Sequence, residues 1–253
     1  ISAVSAPVVS SIDVTQGDNT IAKAGEALTI TATLSEAFTL TLNDATPTLT
    51  LTLGDEEVSA TYTSHDADAK TVTFTATAPA GDTSSVVVKA ISFGAATLIG
   101  DVSAQPLAIA SVGQTDNGFV LDNTAPGAPT ITDVTTDNVI NGAEQTTSLS
   151  GTAEANASVS VSLGGLTKAV TADADGAWSY TLTADDVTAM GEGDESITIT
   201  ATDAAGNTST TTTKAISVDT VAPTAPTITD VTADNVINGA EQTTSLSGTA
   251  EAN

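Results

Sequence analysis

The sequence predicts an all-β protein built as a tandem array of antiparallel β-sandwiches, and three observations carry that expectation. Residues 129–156 return almost verbatim at 226–253. The period is 226 − 129 = 97 residues, and Thr136, which becomes Ala233, is the only difference across 28 positions. A repeat of domain length is the mark of a tandem array. Apolar and polar residues also alternate in runs bounded by Gly, Pro and Asp, the pattern of half-buried strands. Finally, hydrophobic residues make up 40% of the chain but aromatics only 3%. The cores must therefore be built from Val, Ile, Leu, Ala and Thr, a composition that favours strands.

The first domain, 1–121, opens with Pro7-Val8-Val9-Ser10-Ser11-Ile12-Asp13-Val14. Alternation predicts strands at 27–34, 48–53, 58–63, 71–77 and 85–93, with a last one near 118–121. Clusters such as Ala78-Pro79-Ala80-Gly81-Asp82 punctuate them. No helix-period run of useful length is found. Asp122-Asn123-Thr124-Ala125-Pro126-Gly127-Ala128-Pro129 reads as a border, because two prolines three apart stiffen the backbone. One period later the same border returns as Asp219-Thr220-Val221-Ala222-Pro223-Thr224-Ala225-Pro226.

The domain between them, 122–218, divides into seven strands: A at 130–134, B at 147–152, C at 158–163, D at 166–172, E at 177–183, F at 196–202 and G at 208–218. Val159, Val161, Leu163, Trp178, Tyr180, Leu182, Ile197, Ile199, Ile216 and Val218 are its inward candidates. Gly164-Gly165 and Asp175-Gly176 supply hairpin turns. Seven strands in under 100 residues is the count of an immunoglobulin-like sandwich, here without its disulfide because cysteine is absent. Asp13-Val14-Thr15 followed by Asp18-Asn19-Thr20-Ile21 parallels Asp133-Val134-Thr135 followed by Asp137-Asn138-Val139-Ile140. The two domains read as diverged relatives, head to tail in an extended rod. Residues 219–253 read as the truncated start of a third copy that cannot close a sandwich alone, and the opening Ile1-Ser2-Ala3-Val4 reads as the start of a fragment.

Charge narrows the function. Acidic residues number 31 against five basic ones, all Lys, for a net charge of -26. Phosphate backbones and anionic lipid surfaces need Lys and Arg to hold them, so nucleic-acid binding and membrane attraction are excluded. No run of apolar residues is long enough to span a bilayer. Catalysis has few instruments here. His65 is the single histidine, expected in a solvated turn, and there is no Cys or Arg. Triad chemistry lacks its oriented base, and the one Trp and two Tyr alternate into cores rather than forming a sugar platform.

Metal binding is the open question. Asp, Asn and backbone carbonyls are hard oxygen donors of the kind Ca2+ takes six to eight of; zinc and copper fit poorly without His or Cys clusters. An up-and-down strand count places Asp122 near Asp173, Asp175, Asp203 and Asn207. It places Asp219 near Asp137 and Asn138, with Asp194 or Glu195 beside them. Asp18, Asn19 and Asp116 form the matching exit group of the first domain. Each of these residues is also an ordinary turn former, and Asp175-Gly176 by itself reads as a hairpin. Asp173-Ala174-Asp175-Gly176 starts like an EF-hand loop but lacks the closing Glu and the helices.

The border Asp-Xaa-Xaa-Ala-Pro-Xaa-Ala-Pro, the strand Gly176-Ala177-Trp178-Ser179-Tyr180-Thr181-Leu182 and the turn Ala201-Thr202-Asp203-Ala204-Ala205-Gly206-Asn207 resemble the bacterial immunoglobulin-like repeats of giant, type I-secreted, biofilm-associated (RTX or Bap-like) surface adhesins. The resemblance is close over the second domain and the terminal copy, and looser over the first. It implies a non-enzymatic stalk on the outside of a Gram-negative cell, monomeric, with adjacent repeats of the same chain as partners. It also implies structural Ca2+ at the borders, carried over onto Asp122, Asp219, Asp203, Asn207, Asp137 and Asn138. Such a stalk would project an adhesive tip for surface attachment, each domain adding roughly 35–45 Å. The longer first domain departs from the pattern, and the alternative is that it is itself a ligand-binding adhesion module, favoured by a walled pocket or an aromatic cluster around Tyr62 and Phe93. A spacer held only by its proline linkers, without calcium, is the third reading.

Overall fold

The computed structural model describes residues 6–107, 114–115 and 118–252, so Asp116 lies outside the described residues. The first unit contains β1 (Val9–Thr15), β2 (Ile21–Ala22), β3 (Ala27–Leu34), β4 (Phe38–Thr41), β5 (Thr48–Leu53), β6 (Glu56–Asp66), β7 (Thr71–Thr77), β8 (Val86–Ser92), β9 (Thr97–Gly100), β10 (Gln114–Thr115) and β11 (Val120–Leu121). Its main sheet runs β1-β3-β7-β6-β5-β8-β10. Across the core lie two short pairs, antiparallel β4–β9 and parallel β2–β11. The alternation of β3 works as expected: Leu28, Ile30, Ala32 and Leu34 are buried and the residues between them are not. They share one apolar core with Leu49, Leu51 and Phe74 from the same sheet and with Ala22, Phe38, Leu98 and Leu121 from the facing pairs.

The second unit contains β12 (Val139–Asn141), β13 (Ser148–Thr152), β14 (Ser158–Leu163), β15 (Leu166–Thr171), β16 (Ala177–Thr181), α1 (Ala184–Met190), β17 (Gly193–Thr202) and β18 (Thr212–Asp219). One sheet is ordered β12-β18-β17-β14-β15, and β13 pairs with β16 opposite it. A separate core joins Leu149 and Trp178 from the small pair to Ile140, Val159, Val161, Ile197, Ile199 and Val218 from the large sheet. This is an Ig-like β-sandwich. Beyond it, β19 (Thr227–Ile228) pairs with β20 (Gly248–Thr249) in the terminal copy.

Four expectations need correction. A helix is present: α1 sits between the predicted strands E and F. Its N-cap Thr183 accepts from the Asp186 N–H, while the Asp186 carboxylate takes the Thr183 N–H in return, a reciprocal capping box. Seven residues are too few to show a helical period, which is why the pattern hid it. Strand A is not a regular strand; Thr130 and Thr132 donate backbone bonds to Thr152 and Ser150, so 130–132 runs along β13 as an edge. The chain then crosses and lays β12 parallel to β18, a switch that a simple up-and-down count cannot foresee. Strand G is shorter than predicted: β18 begins at Thr212, and Thr208 makes only an isolated bridge to Thr202. His65 lies within β6, exposed, its Nδ1 2.7 Å from the Tyr62 hydroxyl, rather than in the turn that follows.

Two glycines are set by close approach. A Cβ on Gly151 would stand 1.9 Å from the Thr130 carbonyl oxygen, so the edge segment can lie on β13 only if that position is Gly. Gly164, at φ +52 in the β14–β15 turn, would strike the α1 backbone at Ala189 and Met190.

Candidate functional site

The acidic and amide side chains singled out in the sequence gather at the domain borders. At the first border the linker is tied to both units. On the first side, the Asp122 N–H donates to the Ala22 carbonyl at 2.9 Å and the Asn123 N–H to Asp82 Oδ1 at 2.6 Å. The Asn123 carboxamide takes the Ala24 N–H and donates to the Gly81 carbonyl. Asp82 is held below the usual carboxylate range by the Thr124 hydroxyl and then by the Asn123 N–H. On the second side, the Asn207 carboxamide donates to the Asp122 carbonyl at 3.0 Å, and Lys23 Nζ donates to the Gly206 carbonyl at 2.7 Å.

The Asp203–Asn207 turn builds this second side from its own sequence. Asp203 Oδ1 accepts the Asn207 N–H at 2.9 Å and Oδ2 accepts the Asn207 side-chain amide at 2.9 Å. Gly206 takes φ +84, which an L side chain rarely adopts. Asp173 spends its carboxylate inside its own turn, accepting from the Asp175 and Ala177 N–H groups, and Asp175 is exposed there. Asp18 and Asn19 are exposed in the tight turn closed by Gln16 and Asn19.

The exit end of the second unit is arranged differently. Asp137, Asn138, Asp194, Glu195, Ser196 and Ser217 line a groove of about 630 Å³. The sheet register explains the grouping: Ser217 lies between Val139 on β12 and Asp194 on β17. Asp219 continues the same edge, paired with Asn141. The Val139 N–H, followed by the Thr135 hydroxyl, holds Asp137 below the usual carboxylate range. Asn138, at φ +60, accepts the Val134 N–H and donates to Asp133, which Lys214 pairs at 2.5 Å.

Among the described residues no three of His, Cys, Asp and Glu stand close enough together to hold a metal ion. The two borders nevertheless differ in how they would suit a hard cation. At the first, an ammonium already occupies the Gly206 carbonyl and the Asn207 amide faces the Asp122 oxygen with its N–H, so the donor set does not fit calcium there. At the second, Asp137, Asp194 and Glu195 line the groove with oxygen donors of the type calcium takes. They are not gathered closely enough to hold an ion, and Asp137 and Asn138 already accept the Val139 and Val134 N–H groups.

Pattern reasoning missed one buried ionic network. Asp186 is fully buried and accepts from the Tyr180 hydroxyl at 2.6 Å and from Thr183, while Lys168 Nζ stands 2.9 Å away. Burial pushes its carboxyl up, but the bonds from Tyr180, Lys168 and Thr183 outweigh this and hold it well below the usual range. The same bond to Asp186 pushes the Tyr180 hydroxyl up. Thr183-Ala184-Asp185-Asp186 was the signal available in the sequence.

Residues 127–220 match the bacterial Ig-like domain family. No curated protein matches the chain. Among solved structures, a bacterial immunoglobulin-like domain from the M. primoryensis ice-binding adhesin is 33% identical over 38% of this chain and 100% of that one, with TM-score 0.30. A 1.5-MDa bacterial ice-binding adhesin, studied for host cell surface retention, is 21% identical over 96% of this chain and 76% of that one, with TM-score 0.39. A Ca2+-stabilized adhesin that helps an Antarctic bacterium reach out and bind ice is 24% identical, with TM-score 0.41. It matches 96% of this chain, which spans 58% of that one.

Proposed function

The chain belongs, through residues 127–220, to the bacterial Ig-like domain family, and from that premise we propose that it is a non-enzymatic stalk segment of a bacterial surface adhesin, working outside the cell. Its domains run 1–121 and 122–218, with 219–253 opening the next repeat. Its output is length and stiffness, projecting an adhesive tip for attachment and biofilm growth. The observation that carries this reading is the first linker, bonded through Asp122 and Asn123 to one unit and through the Asp122 carbonyl to the other. A linker held from both ends fixes the angle between neighbours, which is what a spacer needs. Near-identity of successive repeats agrees, since a spacer is lengthened by copying.

Calcium enters this proposal at the border after Val218. Asp137, Asn138, Asp194 and Glu195 with Asp219 are its ligand candidates, drawn together when the following repeat docks. In a chain of net charge -26 a divalent ion also relieves repulsion across the linker. Scattering and thermal melting of the whole chain in millimolar calcium and then in chelator test this. Calcium at about 100 times its dissociation constant adds about 2.7 kcal/mol to the state that binds it, so maximum dimension and melting temperature should both fall on chelation. No change in either sinks the calcium part; a folded chain with freely hinged units in both conditions sinks the stalk.

A second reading has its own observation. The first unit carries an apolar hollow of about 580 Å³ lined by Phe93, Leu98, Ile99, Pro106 and Leu107 among others. In the same unit, though outside the lining of that hollow, Tyr62 meets Phe74 edge-on, with ring centroids 6.5 Å apart. In that reading the first domain is an adhesion module carried on the repeats. Saturable binding of a surface glycan or peptide, abolished by Phe93→Ala, would favour it over the pure spacer.

A further inference from the structure

The β2–β11 and β12–β18 pairs are the same device in the two units, and their registers align them residue for residue. Ala22 pairs with Leu121 just before Asp122, and Ile140 pairs with Val218 just before Asp219. The next residue is Lys23 in the first unit and Asn141 in the second. In both, its N–H is caught by a glutamate three positions on: Lys23 by Glu26 at 3.0 Å and Asn141 by Glu144 at 3.2 Å. The backbone is thus shared and the side chain is not. Asn141 turns back and accepts the Ala143 N–H at 2.9 Å; its repeat, Asn238, does the same with Ala240. Lys23 instead leaves its own unit and reaches the Gly206 carbonyl, 183 positions away in the chain.

That contact is built from both sides. Gly206 closes the Asp203–Asn207 turn at φ +84, and a Cβ on it would come within 3.2 Å of Lys23 Nζ, so glycine keeps the approach open. Two bonds, Lys23 to Gly206 and Asn207 to Asp122, brace the border from opposite units. Among the described residues, Lys89, Lys168 and Lys214 form carboxylate ion pairs within 4.0 Å, and Lys23 does not. Its charge is directed at a carbonyl oxygen across the linker, the kind of ligand a hard cation would otherwise take.

We propose that Lys23 is a built-in cation that locks the first border, making this joint independent of divalent metal. The stalk then has two kinds of joint: one closed by its own lysine, and one, with asparagine in that place, that has no such charge. Only the calcium dependence of the second joint rests on the functional reading above; the lock itself does not.

The absence of cysteine allows a direct test on the full chain. Ser59→Cys on β6 and Ser179→Cys on β16, both exposed, take nitroxide labels, and the distance distribution between them is read by pulsed spin resonance. With Lys23 present, the distribution should be narrow and the same in millimolar calcium and in chelator. Lys23→Asn, which copies the second border, should broaden it in chelator, the open population rising by roughly tenfold as a charge-assisted hydrogen bond is lost. Lys23→Arg should keep it narrow. Circular dichroism melting reports that each variant is folded. A distribution that narrows only when calcium is added, or one that Lys23→Asn leaves narrow in chelator, overturns the lock. Scattering of the whole chain that ignores calcium would instead end the calcium proposal for the second border and leave this result standing.

Discussion

The second unit and the terminal copy are two readings of nearly one sequence, and they part company at burial. Residues 129–156 and 226–253 differ at one position of 28. Their local geometry agrees closely: Val134 N–H to Asn138 Oδ1 is 3.2 Å and Val231 N–H to Asn235 Oδ1 is 3.1 Å. Asn138 and Asn235 take φ 60 and 56. Thr130 meets Thr152 as Thr227 meets Thr249. Yet Ile140 and Leu149 are 0% exposed while their counterparts Ile237 and Leu246 are 58% and 70% exposed. Turn chemistry is written within a few residues; a core is written only when β14 to β18 lie across from it.

The sharpest way to break this comparison is to cut the same side chain in both places. Leu149→Ala should destabilise the second unit by about 2–5 kcal/mol, the cost of a cavity in a packed core. Leu246→Ala should leave unfolding unchanged within about 0.5 kcal/mol, as for a surface position. Urea unfolding of the full chain separates the two, and equal effects would mean that the terminal copy is packed after all.

The next effect belongs to the ionic network that closes the second unit. Asp186→Ala removes the acceptor of Tyr180, Thr183 and Lys168. Losing one partner of a buried pair costs roughly 3–5 kcal/mol. The Lys168 side chain is 32% exposed and so finds water, which puts the expected loss at about 3 kcal/mol. Only the second-unit transition should move.

The same carboxylate sets an acid dependence. Asp186 is held below its ordinary value in the folded state, so its contribution is fully present above the unfolded carboxylate value of about 3.9. It is lost as pH falls from there toward the folded value, because the unfolded chain then binds the proton first. The urea midpoint of the second unit should therefore fall below about pH 4, and Asp186→Asn should flatten that part of the profile. A profile as steep in Asp186→Asn as in the parent chain would place the acid sensitivity elsewhere.

The smallest effect probes what the two copies share. Ala in the left-handed region costs about 1–2 kcal/mol, so Asn138→Ala should speed amide exchange at Val134 and lower second-unit stability by about that amount. Asn235→Ala should speed exchange at Val231 alone, with no change in any unfolding transition. If both variants moved a global transition, the turn would be carrying tertiary structure in each copy.

What could be read in advance follows the same division. β3, β5, β7 and β14 alternate over six to eight residues and were visible as strands. β2 and β12, at two and three residues, are too short to alternate, and their parallel pairing depends on where β11 and β18 end. The grouping of Asp137 and Asn138 with Asp194 and Glu195 was legible from strand order, because hairpin counting puts those loops at one end. Lys23 was not: its partner lies 183 positions away on a turn of the other unit, and nothing local marks a lysine that will leave its own domain.

From sequence alone came the repeat, the strand alternation, the proline borders and the Asx turns, because each is settled by contacts within a few residues or by a pattern repeated at 97. Tertiary structure decided that Leu149 is core, that Asp186 is buried beside Lys168 inside the sandwich, and that Lys23 reaches the Gly206 carbonyl. Those outcomes depend on surfaces brought together from distant parts of the chain, where burial raises the cost of every unpaired charge.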